Sequence, residues 1–444
     1  MTNKKQVHLG AFLQGVGHSI AWRHPAHASF TELETYVQFA QIAERGKLDF
    51  IFFAEGLVIR EHRDRFFGPI VNGRPDTLTL LPALASVTDK IGLAATISST
   101  YNEPFELARK LASLDIVTGG RAAWNVVTTF SNSAAKDSGG DQVAYNFSRT
   151  QHLDHPTRYA RAREFVPLIK ELWDTWEDDA LAEGSVSPAK LHRLDHRDPW
   201  FQVAGPLDVP RPIQGHPVII QAGQSNDGRD LAARVADVIF SPFRDFAESK
   251  AHYDDVKARL ARYGRNPEAL RILPGLSVIV APTLAEAQEK ASYYRDLLFS
   301  DAIVRYLLAE QSGLDFSIYD LDGPFPDLDA GDPRANGPLV KHWRQIAHEQ
   351  SLTLRQLAEQ AIPRGGLVGT PAQVADYIQH WVEGGASDGF LLAPQLFPGD
   401  LNDFVSLVVP ELQSRGIFRT EYTGTTLRDH LGLPRPVGPA VAAL

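Results

Sequence analysis

The chain of 444 residues contains no cysteine and a single methionine, Met1. Without cysteine there can be no disulfide, no thiolate metal site and no cysteine nucleophile, which excludes several classes of enzyme. A scarcity of methionine would suit a protein that handles a peroxide, because peroxides oxidise thioethers and thiols first. A bias in composition explains the same scarcity more often.

Long apolar runs and concentrated basic runs are also missing. No window of about 18 apolar residues could cross a membrane, and residues 1–15 enter a strand pattern without the apolar segment of a signal peptide. We therefore expect a cytoplasmic protein that does not act on membranes. The net charge of −10 and the isoelectric point near 5.8 argue against nucleic-acid binding. Small molecules are the expected ligands.

Motifs of several hydrolase and nucleotide-binding classes are absent as well. There is no Gly-x-Ser-x-Gly elbow and no Walker loop, and Phe12-Leu13-Gln14 stands where barrel hydrolases often carry His-x-His. The histidines of the segment 18–27 have spacings that match no metal motif. His192 and His196 are four residues apart, but no third ligand is evident. We therefore predict no metal site.

The sequence does contain a regular alternation of short apolar runs and helical periodicities. The runs that predict strands are 7–13, 50–53, 92–97, 122–128, 218–221, 238–241, 272–280 and 389–393. Each precedes a helical pattern, and eight parallel strands favour a closed barrel over an open doubly wound sheet. An open sheet with an additional domain is the alternative.

We predict an α/β fold, a (β/α)8 TIM barrel in which residues 1–444 form one domain. Its length is explained by insertions at about 177–215, after the fourth strand, and 283–365, after the seventh, and by a C-terminal tail at 416–444. Ser29, with Glu32 three residues later, predicts the cap of the first helix. Residues 158–176 predict a long helix after the fourth strand.

The segment 216–228, HPVIIQAGQSNDG, predicts an anion-binding turn. Its β-branched run is typical of a buried parallel strand, and the residues after the turn recur at helical spacing. Free backbone N–H groups, the positive end of the helix dipole and the Ser225 hydroxyl would suit a phosphate. An ordinary βα turn without a ligand explains the same residues equally well.

Polar residues that follow the strands of a barrel meet at one mouth. In chain order these are Gln14, His18, Glu55, Thr96, Ser98, Ser99, Asn125, Thr128, Thr129, Gly223 and Ser225, and aromatic residues such as Tyr101 and Trp124 stand among them. This combination suits a planar heterocycle that bears a phosphate. His155 and Tyr159 share one face of a helix start and could reach an anionic cofactor tail. A capping histidine and a packed tyrosine are the alternative.

Six stretches carry a resemblance to a known family: AWRHP (21–25), AERGKLDFIFFAEG (43–56), ATISSTYNEPFELAR (95–109), LDIVTGGRAAWNVVT (114–128), HPVIIQAGQS (216–225) and VVPELQSRGIFRTEYTGTTLRDHLGL (408–433). They resemble the flavin-dependent monooxygenases of the bacterial-luciferase-like superfamily. Within it they are similar to the branch of nitrilotriacetate monooxygenase component A, dibenzothiophene-sulfone monooxygenase and long-chain alkane monooxygenase. The stretches are distributed in order over most of the chain, and the luciferase-like barrel agrees with the strand count.

The resemblance implies reduced FMN as a co-substrate, supplied by a separate NAD(P)H:flavin reductase, and O2 activated as a flavin C4a-(hydro)peroxide. It also implies a homodimer or a homotetramer. The flavin contacts that it carries over are Glu55, where relatives usually have Asp, Thr96, Asn125, His155, Tyr159 and Ser225. His18 is the residue expected near the site of oxygen transfer.

Departures from the family bear on the substrate. Phe130 stands where the alkane-oxidising relative has a histidine, so alkane hydroxylation is not expected. The segment 418–433 is most similar to the sulfone-oxidising relative, which favours an apolar, aromatic or sulfur-containing substrate. A deazaflavin-dependent oxidoreductase on the same barrel and a non-catalytic flavin-binding protein are the alternative functions.

Overall fold

The computed structural model describes residues 5–13, 24–26, 28–59, 73–129, 140–182, 184–242, 245–328, 331–361 and 366–438. Within these residues, eight parallel strands close into a barrel. They are β1 (His8–Leu13), β2 (Phe50–Phe53), β3 (Gly92–Ser98), β4 (Ala122–Val127), β5 (Val218–Gln221), β6 (Val238–Ser241), β7 (Arg271–Leu276) and β8 (Gly389–Leu392). The strands follow one another in chain order around the ring, and β8 pairs back onto β1. The predicted (β/α)8 TIM barrel is confirmed.

Helices alternate with the strands and fill the longer connections. Their bounds are α1 (Leu33–Arg45), α2 (Thr77–Ala85), α3 (Pro104–Val117), α4 (Gly140–Asn146), α5 (His155–Trp173), α6 (Asn226–Val235), α7 (Phe246–Arg259), α8 (Leu284–Leu298), α9 (Asp301–Ser312), α10 (Pro338–Gln350), α11 (Leu354–Ala361), α12 (Pro371–Glu383), α13 (Gly399–Asp403), α14 (Val409–Ser414) and α15 (Leu427–His430). A π-helical turn, Phe404–Val408, joins α13 to α14. None of the helices in the described part of the chain combines the length and the apolar character that a membrane-spanning helix needs.

Alternate residues of the strands pack on opposite sides of the barrel wall. The interior is filled by large aromatic side chains opposite small ones, such as Phe50 and Phe52 with Ala94 and Ala123. Gly10 on β1 makes this packing possible, because a Cβ there would lie 2.7 Å from Leu391 Cδ1 and 2.9 Å from the Phe50 ring. The barrel is therefore a packed core below its mouth.

The insertions after β4 and β7 are confirmed. The first contains two antiparallel strand pairs, Leu181–Ala182 with Ser185–Val186 and His196–Arg197 with Gln202–Val203. The second contains α8 to α11 and has its own cluster of buried apolar residues around Val304, Phe316 and Trp343. The assignment of residues 1–444 to a single domain stays a prediction.

Three predicted boundaries are wrong. The strand predicted over 272–280 divides at Ser277, where the chain leaves the barrel and Val278–Val280 pairs with Leu367–Gly369. The long helix begins at His155 and ends at Trp173, since Asp154 caps it by accepting from Thr157 N. Ser29 does not cap α1; it bonds Thr31 instead, and Glu32 occupies the cap position without a side-chain bond.

The C-terminal segment closes the end of the barrel opposite the mouth. Leu427, Leu431 and Leu433 belong to the same buried cluster as the interior strand residues. Arg428 donates to the Asp237 carboxylate just before β6, with an N–O distance of 2.8 Å. The described residues of the segment that the sequence predicts as a C-terminal tail therefore cover this end of the barrel.

Candidate functional site

Thr96 and Asn125 lie side by side inside the barrel at the carboxyl ends of β3 and β4. They are paired in the strand register, and Ala94 and Ala123, two residues earlier, face the interior, so Thr96 and Asn125 face it as well. Asn125 Nδ2 donates to Thr96 Oγ1 over 3.1 Å, and Thr96 Oγ1 donates to the Phe53 carbonyl over 2.7 Å. The two predicted residues therefore form one hydrogen-bonded group across three strands.

The amide of Asn125 has a fixed orientation. The Thr96 proton goes to a carbonyl, so Thr96 Oγ1 can only accept from Asn125, and the amide nitrogen must face it. Asn125 Oδ1 consequently points elsewhere; it is buried and has no hydrogen-bond partner among the described residues. A buried polar atom without a partner is costly, and this acceptor suits an N–H group of a ligand.

The turn between β5 and α6 has the strand, turn and helix start that the sequence predicts. Ser225 is the N-cap of α6, and its Oγ accepts from Gly228 N over 3.0 Å. The two glycines of the turn lie in contact, since a Cβ on Gly228 would come within 2.7 Å of the Gly223 carbonyl carbon. The backbone of the turn therefore packs directly against the first turn of α6.

His155 and Tyr159 meet Ser225 at the beginnings of α5 and α6. His155 Nε2 lies 3.3 Å from Ser225 Oγ, and the rings of His155 and Tyr159 are 4.6 Å apart between centroids. A Cβ on Gly223 would lie 2.8 Å from the Tyr159 hydroxyl. Two helix N-termini, a hydroxyl, an imidazole and a phenol thus converge, which is a favourable setting for an anion.

One acidic residue stands beside this group. Asp227, in the first turn of α6, has a carboxylate oxygen 3.7 Å from His155 Nδ1. Its other oxygen accepts from the guanidinium of Arg163. Because Arg163 balances the charge of Asp227, the helix start does not become a negative site.

Glu55 lies two residues after Phe53, the last residue of β2, whose carbonyl accepts the hydrogen bond from Thr96. Burial and, to a lesser extent, the nearby carboxylate of Asp76 raise the pKa of its carboxyl group to about 7, against the opposing effect of the Arg74 guanidinium. Asp76 is itself engaged as the cap of α2, where it accepts from Thr79 N. Near neutral pH a large fraction of Glu55 is therefore protonated and can donate a hydrogen bond.

The predicted residues occupy adjacent strands and join into an arc from β2 to β5. Glu55 follows β2, Thr96 and Asn125 lie on β3 and β4, and Asn125 is in register with Ile220, five residues before Ser225. His18, together with Gln14 and Phe130, lies outside the described residues. Its predicted catalytic role stays a prediction.

A further polar network at this mouth was not predicted as a unit. The Tyr101 hydroxyl lies 2.6 Å from His152 Nδ1, and the buried Arg158 donates to His152 Nε2 over 3.0 Å. Because arginine can only donate, Nε2 must accept, and a neutral His152 then carries its proton on Nδ1. The sequence shows Tyr101 as an aromatic residue after a strand. His152 lies in a loop, where no periodicity indicates which way its side chain points.

His192 and His196 do not form a shared site. His196 lies in a short strand, not in a helix, and each histidine has its own carboxylate: His192 Nε2 is 2.9 Å from Glu177, and His196 Nε2 is 2.8 Å from Asp198. No group of three potential metal ligands is found among the described residues.

A closed parallel barrel with polar side chains gathered at the carboxyl ends of its strands defines the class of α/β-barrel enzymes. The chain belongs to the luciferase-like monooxygenase family, whose model matches residues 15–388. The family predicted from the six stretches is confirmed, and with it the expectation of an enzyme, a flavin-dependent monooxygenase.

Individual relatives match the chain over almost its full length. N-acetyl-S-(2-succino)cysteine monooxygenase of Bacillus subtilis (strain 168) is 44% identical over 447 residues, with 98% of each chain covered. Nitrilotriacetate monooxygenase component A of Aminobacter aminovorans is 44% identical over 460 residues, again with 98% of each covered. The crystal structure of a riboflavin lyase with modified FMN and riboflavin has a TM-score of 0.79 at 31% identity and covers 96% of both chains.

Proposed function

We propose that the chain is the oxygenase component of a two-component FMN-dependent monooxygenase that oxidises a small organic substrate. Reduced FMN, when bound, supplies the electrons with which O2 is activated. The observation that carries the proposal is the convergence of His155, Tyr159 and Ser225 on two helix N-termini, on the same mouth as the unpaired amide oxygen of Asn125.

The phosphate of FMN fits the start of α6. Ser225 Oγ, the backbone N–H groups of the first turn and the imidazole of His155 would donate to its oxygens, and the helix dipole favours its charge. Tyr159 lies against Gly223 and limits the space beside the turn. A side chain at either glycine would clash with the turn itself or with Tyr159 and so would displace the groups proposed to hold the phosphate.

The isoalloxazine end fits the interior groups of the arc. Asn125 Oδ1 would accept from a ring N–H, while Thr96 holds the amide in orientation. Below them, Phe12, Phe52 and Phe240 form an aromatic floor, with ring centroids 4.7 to 6.1 Å apart. An apolar floor excludes water from beneath the ring, which protects oxygen chemistry from side reactions.

The substrate class is supported by the relatives. By their names, the two relatives at 44% identity act on N-acetyl-S-(2-succino)cysteine and on nitrilotriacetate. The first is an organosulfur compound, as the C-terminal segment favours, and both carry several carboxylates. We propose a small organosulfur or carboxylated molecule as the substrate, with a separate NAD(P)H:flavin reductase as the source of reduced FMN.

The test combines binding with turnover. Anaerobic titration with reduced FMN should show binding, and rapid mixing with air should then produce a transient flavin absorbance distinct from reduced and oxidised FMN. With a flavin reductase and NADH present, mass spectrometry of a panel of thioethers, sulfones and aminopolycarboxylates should identify a product. Tight binding of a deazaflavin without any reaction with oxygen would favour the alternative oxidoreductase. NADH consumption uncoupled from substrate loss for the whole panel would favour a non-catalytic flavin-binding protein.

A further inference from the structure

The tips of β3 and β4 carry a run of hydroxyl groups, and most of these groups are bonded to the backbone. Ser99 Oγ donates to the Val127 carbonyl over 3.2 Å, and Thr100 Oγ1 donates to the Thr128 carbonyl over 2.9 Å. Such bonds tie the two strand ends together. The protons of these hydroxyls are therefore not available to a ligand.

Ser98 differs, because its oxygen is saturated as an acceptor. Ser98 Oγ accepts from Thr100 N over 3.1 Å and from Tyr101 N over 3.2 Å, which uses both of its lone pairs. Its proton must then be donated to Thr129 Oγ1, which lies 2.5 Å away. The direction of this hydroxyl pair is thereby fixed: Ser98 donates and Thr129 accepts.

Thr129 is left with a proton to donate. Its Oγ1 has no other hydrogen bond among the described residues, so the O–H bond is directed away from Ser98. The residue also has φ of 56°, a left-handed conformation that is rare for a β-branched residue. Such strained backbone persists where the surroundings enforce it, and it concentrates at ligand-binding sites.

The position of Thr129 places this donor at the mouth. Ser98 faces the interior by alternation with Thr96, and its Oγ contacts Thr129, which lies four residues after Asn125 on the same strand end. Asn125 Oδ1 is a buried acceptor without a donor, and Thr129, which is partly buried, has no acceptor for its hydroxyl proton among the described residues. The seam between β3 and β4 therefore carries an acceptor on β4 and a donor just beyond the end of that strand.

We propose that Thr129 is a flavin-binding residue whose hydroxyl, oriented by Ser98, donates a hydrogen bond to an oxygen atom of bound FMN. This proposal rests on the proposed function of the same mouth. Ser98 is a positioning residue that acts through Thr129.

The experiment compares variants at the two ends of the same hydrogen bond. Thr129→Val removes the donor and keeps the shape, Thr129→Ser keeps the donor, and Ser98→Ala removes the orienting group together with two backbone hydrogen bonds. The dissociation constant for reduced FMN is measured anaerobically, and the melting temperature is measured for each protein. Ser351→Gly is a control, since Ser351 is another non-glycine residue with a left-handed backbone, at the end of α10.

The expected result is a dissociation constant about fivefold higher for Thr129→Val, as for the loss of one hydrogen bond, and within twofold of wild type for Thr129→Ser and Ser351→Gly. Ser98→Ala should have a lower melting temperature than Thr129→Val, and yet it should bind FMN more tightly than Thr129→Val. If Thr129 were only structural, Ser98→Ala would weaken binding at least as much, and that result overturns the proposal. An unchanged affinity for Thr129→Val overturns it as well. If the wild-type protein binds no reduced FMN, the proposed function itself fails and this proposal fails with it.

Discussion

Replacing Ser225 by alanine separates two roles of one hydroxyl group. Ser225 Oγ caps α6 by accepting from Gly228 N, and in the proposed complex its proton is donated to the FMN phosphate. The loss of an N-cap costs about 1 kcal/mol of folding free energy. The loss of a hydrogen bond to a charged group weakens binding by roughly 1 to 2 kcal/mol, which raises the dissociation constant about 5- to 30-fold.

Two further variants assign each loss to its cause. Glycine at an N-cap costs only a few tenths of a kcal/mol, so Ser225→Gly should keep the stability of α6 and still lose FMN affinity. Thr426→Ala removes the capping hydroxyl of α15, at the opposite end of the barrel. It should lower the free energy of unfolding without changing FMN affinity.

The assay is anaerobic titration with reduced FMN, alongside chemical unfolding of each protein without flavin. We expect weaker binding for both Ser225 variants, and a clear loss of stability for Ser225→Ala and Thr426→Ala. The reasoning is refuted if Ser225→Ala and Ser225→Gly both bind FMN within twofold of wild type. It is also refuted if Thr426→Ala weakens binding as much as they do, because affinity would then follow stability alone.

Three further predictions concern groups away from the phosphate. Arg428→Met should lower the free energy of unfolding by about 3 to 5 kcal/mol in urea denaturation, because it leaves the buried Asp237 carboxylate without its cation. Burial and, to a lesser extent, the charge of Arg419 lower the pKa of His430 to about 4. As the pH falls, His430 is therefore protonated in the unfolded chain before it is protonated in the folded protein. Between pH 6.5 and pH 4, the free energy of unfolding should decrease by up to about 3 kcal/mol more in wild type than in His430→Leu. The pKa of Glu55 is raised to about 7, so its protonated form stabilises the folded protein below pH 4.5, and this stabilisation is lost as the pH rises through 7. Glu55→Gln should therefore remove this pH-dependent decrease in the free energy of unfolding.

Each of these predictions has a result that would contradict it. A double variant of Arg428→Met with Asp237→Asn should recover part of the lost stability, and no recovery would show that the ion pair is not the cause. Parallel stability curves for wild type and His430→Leu between pH 4 and 7 would mean that His430 is not buried as a neutral group. For Glu55→Gln, a loss of stability between pH 5 and 8 equal to that of wild type would assign the titration to other groups.

The barrel could be predicted because each strand is a short apolar run bounded by residues that stop it. Val218–Gln221 illustrates the point, since its β-branched residues are buried and the glycines after it mark a turn with close backbone contact. The apolar run through Ser277 was predicted as one barrel strand, but its second part leaves the barrel and pairs with another strand. Both parts are apolar, so the sequence does not mark the division. Pairing partners far apart in the chain are not encoded in local periodicity.

The predicted site residues share one arc, but their orientations could not be derived from the sequence. The spacing of His155 and Tyr159 predicts one helix face, and the structure places both against the Ser225 turn. The orientation of the Asn125 amide is fixed for a different reason. Thr96 donates its hydroxyl proton to a carbonyl on a third strand, so its oxygen can only accept from Asn125. Such chains of donors and acceptors appear only when three strands are seen together.

The two ends of the barrel use polar groups in opposite ways. At the closed end, buried carboxylates that precede β2, β6 and β8 each accept the N–H of the second residue of a neighbouring strand and are balanced by cations of the same chain. The pairs are Asp49 with Arg419, Asp237 with Arg428 and Asp388 with Lys257. These carboxylates are each held by a backbone N–H group and a cation, so they stabilise the fold.

At the mouth the polar groups are mostly uncharged, and several lack partners among the described residues. They include the buried amide oxygens of Asn125 and Gln224 and the hydroxyl proton of Thr129, a residue that is only partly buried. Leaving a buried polar group unpaired costs stability that an apolar residue would not cost. A ligand that donates to Asn125 Oδ1 recovers that cost when it binds. Substitutions at the closed end should therefore change the free energy of unfolding more than flavin affinity, whereas substitutions of Asn125 and Thr129 should do the reverse.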